Sequence, residues 1–173
     1  MTRGEIVPCL WYWNEAEEAA NFYAEVFPDS RVLKLTTLPS EPPSGPAHSV
    51  KIVEFELLGR HFTAISAGPL DSFNHAISLM VKCNDQAEID RYWDALLANG
   101  GTPERCGWVR DRFGLYWQIV PAVLAEMIAD PDMERSRRVA EAMLEMSKFD
   151  IASLEAAYSG SGRTEGTGGG SGG

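Results

Sequence analysis

Residues 75–97, HAISLMVKCNDQAEIDRYWDALL, restate residues 5–27, EIVPCLWYWNEAEEAANFYAEVF. Each copy runs from an apolar, strand-like stretch through a polar break into a helical pattern. A shift of seventy residues lays Asn14 on Asn84, Glu15 on Asp85, Glu18 on Glu88, Phe22 on Tyr92, Tyr23 on Trp93 and Phe27 on Leu97. A repeat at this period constrains the fold more than any single element, because a small module cannot bury a core alone and must share one with its copy. The same register lays Glu5 on His75. If equivalent positions face each other across a pseudo-twofold axis, that pair is a candidate for shared chemistry.

Residues 6–13 are apolar and aromatic and predict a strand, with Pro8 tolerated where its missing N–H needs no partner. Asn14 is placed to cap a helix over 15–27, where Ala16, Ala19, Ala20, Tyr23 and Phe27 recur at helical spacing and acids crowd the first turn. Strands are predicted at 31–38, 48–58 and 61–66. A Pro/Ser/Gly loop at 39–46 separates the first two, and Gly59-Arg60 turns the last two into a hairpin. The second copy adds a strand opened by His75 and a helix from Asp85 to the stop signal Asn99-Gly100-Gly101. Strands at 102–110 and 115–121 follow, parted by the turn at 111–114. The order strand, helix, strand, strand, strand, met twice, gives an α+β fold of two βαβββ modules, at about 4–68 and 74–121, in a single domain over 1–158. They are expected to join in one curved mixed sheet, a half-barrel around a cavity with its helices outside. Short helices at 122–129, 133–146 and 151–158 are extra, with Val139, Met143 and Met146 on one face of the middle one. Residues 159–173 are almost wholly Gly, Ser and Thr and read as a flexible linker or cloning remnant.

A net charge of −10, from 25 acidic and 15 basic residues, argues against nucleic-acid binding, because no Lys/Arg cluster is present to displace phosphate counterions. A small-molecule ligand is expected instead. Cys9, Cys83 and Cys106 are an odd number without CxxC spacing, each in an apolar run, and are expected to be buried free thiols in a reducing compartment. No apolar run approaches the ~20 residues that span a bilayer, and the first residues lack a signal peptide's apolar region. The expected setting is cytoplasmic, without a membrane.

The stretches PCLWYWNEAEEAANFYAEVFPDSRV, VEFELLGRHFTAISAGP, FNHAISLMVKCNDQAEIDRYW, CGWVRDRFGLYWQIVP and MERSRRVAEAMLEMSKFDIASLEAAY resemble the PhnB-like proteins labelled 3-demethylubiquinone methyltransferase-like. These belong to the vicinal oxygen chelate superfamily, with glyoxalase I, extradiol dioxygenases and bleomycin-resistance proteins. The resemblance spans about residues 5–158. It implies a U-shaped sheet around a cavity, a divalent metal held from the first and last strand of each module, and a homodimer. It does not carry the methyltransferase label, since no glycine-rich strand-to-helix turn for S-adenosylmethionine is present.

Carried onto this chain, the resemblance implies Glu5, His75 and Gln118 as metal ligands, with Thr63 in the fourth corner by matching Gly59 to Gly114. Glu and His are good divalent ligands, Gln is a weaker neutral donor and Thr is poor. Two-residue alternation then puts Ile77, Leu79 and Val81 on His75's face, and Val7, Cys9 and Trp11 on Glu5's. Gln118 shares a face with Tyr116 and Val120, leaving Trp117 and Ile119 under the helices. The expected ligand cavity is lined by Cys9, Trp11, Thr63, Trp108 and Tyr116. Two readings stay open: a metal-dependent enzyme acting on a small oxygen-bearing substrate, or a metal-free binding or sequestering protein of the bleomycin-resistance type. His75 is equally readable as an ordinary strand-edge histidine, and Trp108 as core.

Overall fold

The computed structural model describes residues 4–41, 49–68 and 71–161. Part of the expected loop at 39–46, the strand start at His48 and the tail from residue 162 lie outside them. The chain divides into two compact units, one formed by Met1–His75 with Arg112–Leu115, the other by Ala76–Asp111 with Tyr116–Gly173.

In the first unit, β1 (Cys9–Tyr12), α1 (Ala16–Val26), β2 (Arg31–Thr37), β3 (Lys51–Leu57) and β4 (Arg60–Ser66) follow in βαβββ order. The strands form a mixed sheet in the order β1-β4-β3-β2, with β1 parallel to β4. The helical spacing of Ala16, Ala19, Ala20 and Tyr23 puts all four in the core with Leu10, Val53, Phe55 and Ala64. Three alanines let the helix lie close on the strands. Fully burying one large apolar side chain such as Phe55 is worth roughly 1.5–3 kcal/mol. Asn14 does not cap α1. The cap position is Glu15, which makes no side-chain cap bond, and the hydroxyl of Ser66 accepts the Ala16 N–H at 2.9 Å. The turn at 112–115 belongs with this unit: Phe113 packs on Phe22 and Tyr23, and Arg112 pairs with Glu18 at 3.0 Å.

The second unit repeats the order with β5 (Leu79–Cys83), α2 (Gln86–Leu97), β6 (Thr102–Pro103), β7 (Trp108–Arg110) and β8 (Tyr116–Pro121). Its sheet runs β5-β8-β7-β6, again with the first and last strands parallel. Here the residue ahead of the helix caps it, with Asp85 accepting the Glu88 N–H at 2.8 Å. The single strand expected over 102–110 is two short strands, because the backbone turns left-handed at Cys106 and Gly107. Ile89, Trp93 and Leu96 of α2 are buried with Val109, Trp117 and Ile119.

Three helices complete this unit: α3 (Leu124–Ile128), α4 (Met133–Glu145) and α5 (Ile151–Ser159). Val139 is fully buried, and α4 packs on α3 and α5 of its own chain. Asp132 and Asp150 cap α4 and α5. The segment joining those helices is clasped to the rest of the unit. Gln86 donates to Phe149 O at 3.0 Å and accepts Ile151 N–H at 2.9 Å, while Cys106 and Gly107 donate to Met146 O and Ser147 O.

Candidate functional site

Within each unit one face of the sheet lies under α1 or α2, and among the described residues no other helix of that unit packs on its strands to a comparable extent. In the first sheet the partnered residues Cys9 and Thr63, then Trp11 and Ile65, lie on the helix-free face. The structure therefore puts Cys9 and Trp11 on one face and adds Thr63 through its pairing with Cys9. Trp11 donates its indole N–H to Gly68 O at 3.1 Å, which fixes the ring. Cys9 is exposed, a correction to the expected buried thiol that follows from its face, and partial burial still pushes its thiol up. Cys83 faces the helix and is buried, its thiol pushed up to about 12 by that burial, with the carboxylates of Glu88 and Asp85 adding to the effect.

In the second sheet Gln118 is the partner of Met80 on one side and Trp108 on the other. Tyr116, two residues along, shares that face, and its ring meets Trp108 edge-on at 6.5 Å. Trp117 and Ile119 turn to the helix, as expected, and are 2% and 0% exposed. The Gln118 side-chain amide donates to the Ser78 hydroxyl at 2.8 Å.

His75 does not open β5. It lies in an exposed turn, four residues before the strand begins. The reason is the length of β8, which starts at Tyr116 and leaves no strand for earlier residues to pair with. Leu79 and Val81 are partners of Trp117 and Ile119 and so face the helix, opposite to the expected side. Matching Gly59 to Gly114 lays Thr63 on Gln118, so their partners Cys9 and Met80 correspond, seventy-one residues apart and not seventy. The helices keep seventy, as Ala19 with Ile89 and Tyr23 with Trp93 show. One residue is inserted where the strand becomes a helix, Trp13-Asn14-Glu15 against Asn84-Asp85. A one-residue slip in a strand exchanges its faces. Ser78 then corresponds to Val7, and Glu5 does not correspond to His75.

Glu5 lies ahead of β1 and pairs through its carboxylate with His61 Nδ1 at 3.2 Å, both side chains at least half exposed. Pro8, Arg60 and Phe62 surround this pair in a shallow cleft of about 400 Å³. The positions that correspond by register, Val7 with Ser78 ahead of the first strand of each unit and Thr63 with Gln118 in the last, carry an alkyl group and a hydroxyl in the first unit and a hydroxyl and an amide in the second. None brings the anionic or imidazole donors a divalent ion selects. Among the described residues no three His, Cys, Asp or Glu gather to hold a metal ion. The register-equivalent positions therefore do not carry the donors of the divalent metal that the resemblance implies.

The family model for 3-demethylubiquinone-9 3-methyltransferase matches residues 4–120. The chain belongs to that family. Among solved structures it is similar to the PhnB protein of Bacillus cereus, at 27% identity over 69% of this chain and 100% of that one, with a TM-score of 0.60. The fold is also that of the fosfomycin resistance protein FosX from Mesorhizobium loti, at 18% identity over 75% of this chain and 100% of that one, TM-score 0.54. The trypanothione-dependent glyoxalase I of Leishmania major matches at 13% identity over 79% of this chain and 99% of that one, TM-score 0.50. No curated protein sequence matches significantly. No helix among the described residues is long and apolar enough to cross a membrane.

Ser78 and Met80 are the site residues that alternation from His75 missed. Alternation from Gln118, combined with parallel pairing, finds both.

Proposed function

We propose that this protein binds a small, flat, partly apolar molecule on the helix-free face of its second sheet, and does so without a metal ion. The observation that carries this reading is the neutral pair Gln118–Ser78, closed at 2.8 Å beside the aromatic pair Trp108–Tyr116. The half-buried Trp108 ring, backed by Tyr116 at 9% exposed, offers apolar contact area, and an amide and a hydroxyl held by each other leave an acceptor and donors for orientation. Met80, 53% exposed beside Gln118, adds an adaptable apolar contact. Binding of this kind suits a sequestering role of the bleomycin-resistance type, and one relative in fold is a fosfomycin resistance protein.

The reading sets aside the methyl transfer in the family's description. The connections from β1 to α1 and from β5 to α2 hold no glycine, and their acidic residues Glu15 and Asp85 would repel a nucleotide-like phosphate or carboxylate at the helix entry. The alternative reading is a metal-dependent enzyme using Glu5, His75 and Gln118. Elemental analysis and chelation separate the two. Protein dialysed against EDTA should keep its affinity for the neutral fluorophore N-phenyl-1-naphthylamine within about twofold, whereas Trp108→Leu should weaken it about tenfold. A stoichiometric divalent ion that disappears in His75→Ala, together with loss of binding on chelation, would overturn the proposal.

A further inference from the structure

Most arginines of the described chain are engaged. Arg31 pairs with Glu56, Arg112 with Glu18, Arg135 with Asp132, and Arg137 with Glu134 and Glu141, while Arg138 donates to Ala157 O and Tyr158 O. Arg91 donates to the Tyr92 hydroxyl. Arg110 has no such partner among the described residues. It lies on β7 as the direct partner of Tyr116, two residues from Trp108, and so shares the helix-free face with both rings and with Gln118. The neighbouring acid, Asp111, is turned to the other face, where it is buried and accepts the Trp117 indole N–H at 2.8 Å. In a chain of net charge −10, an exposed guanidinium left unneutralised beside two aromatic rings is a local positive spot in a negative field.

Resting on the ligand site proposed above, we infer that Arg110 selects ligands carrying an oxyanion, a carboxylate, sulfonate or phosphonate, on a flat apolar body. The planar fork of arginine meets two oxygens of such a group at once, which a lysine does not. The body then lies along the half-buried Trp108 ring toward Gln118. One strand spacing and two residues of strand rise separate the Cα atoms of Arg110 and Gln118 by about 8 Å, the span of a fused bicyclic ring and its substituent. Lys82 also lies on this face, but on the edge strand beside Val120, away from both rings.

Two fluorophores of one skeleton test the inference: 8-anilinonaphthalene-1-sulfonate and the uncharged N-phenyl-1-naphthylamine. The wild-type chain should bind the sulfonate at least tenfold tighter than the neutral dye. Arg110→Gln should remove that preference while leaving affinity for the neutral dye within twofold, and Lys82→Gln, with the same change in net charge, should keep the preference. Raising the salt concentration should erode it in the wild type and not in Arg110→Gln. Equal preference in wild type and Arg110→Gln, with Trp108→Leu still weakening the neutral dye, overturns the role of Arg110 alone. Absence of Trp108-dependent binding of either dye overturns the underlying site as well.

Discussion

Gly107 shows how one residue without a side chain joins the strand hairpin of the second unit to its C-terminal helices. Its φ is +77°, a backbone region where a side chain is strained, and a Cβ there would lie 2.5 Å from a Phe149 ring carbon and 2.6 Å from Ile119 O. Its N–H donates to Ser147 O at 2.7 Å. Gly107→Ala is expected to destabilise by roughly 3 kcal/mol, from backbone strain plus overpacking. Urea unfolding should show the loss. Because the Ile119 carbonyl cannot be removed, adding Phe149→Ala should not restore stability, and a variant as stable as wild type would refute the account. The glycine is visible in the sequence, but its crowding is not, since Phe149 is forty-two residues away in the chain.

At the scale of elements, helical periodicity located both α1 and α2, and the turn signals at Gly59 and Gly114 located both hairpins, because local steric rules set these features. Strand faces were harder. The seventy-residue repeat is true of the helices and one residue short for β1 and β5, so it transferred helix positions correctly and strand faces in reverse. The shared face of Gln118 and Tyr116 remained legible because it follows from alternation within one strand. Ser78 did not, since its place depends on pairing with a strand forty residues on. Capping gave a second lesson: Asn14 has the right chemistry in the right place, yet α1 takes its cap from Ser66, fifty residues away and 4% exposed. Ser66→Ala leaves the Ala16 N–H without its acceptor and is expected to cost about 1–2 kcal/mol, whereas Asn14→Ala should cost under about 0.5 kcal/mol. Equilibrium unfolding of the two variants checks this, and the reverse ranking would restore Asn14 as the cap.

For the whole molecule the governing quantity is charge. At neutral pH the net −10 repels itself, and lowering the pH toward the sequence pI of about 4.7 relieves that repulsion. Against this act carboxylates that the fold holds below their ordinary range. The Tyr158 hydroxyl, then the Asp132 N–H, lower Asp130. The Ser153 side chain and N–H lower Asp150, and Lys148, then Gln86, lower Asp90. A carboxyl depressed in the folded state contributes stability that is present above its unfolded pKa, near 3.9, and is lost as pH falls through the folded value. The two effects oppose each other over different ranges. The urea midpoint should therefore be at least as high near pH 5 as near pH 7, and should fall steeply between about pH 4 and 3. Added salt should raise the midpoint at pH 7 by screening the repulsion and do little near pH 5. Asp130→Asn with Asp150→Asn removes two of the depressed groups, so its midpoint should be lower at pH 7 and its decline below pH 4 shallower. A decline as steep as wild type would show that other carboxylates carry the acid sensitivity.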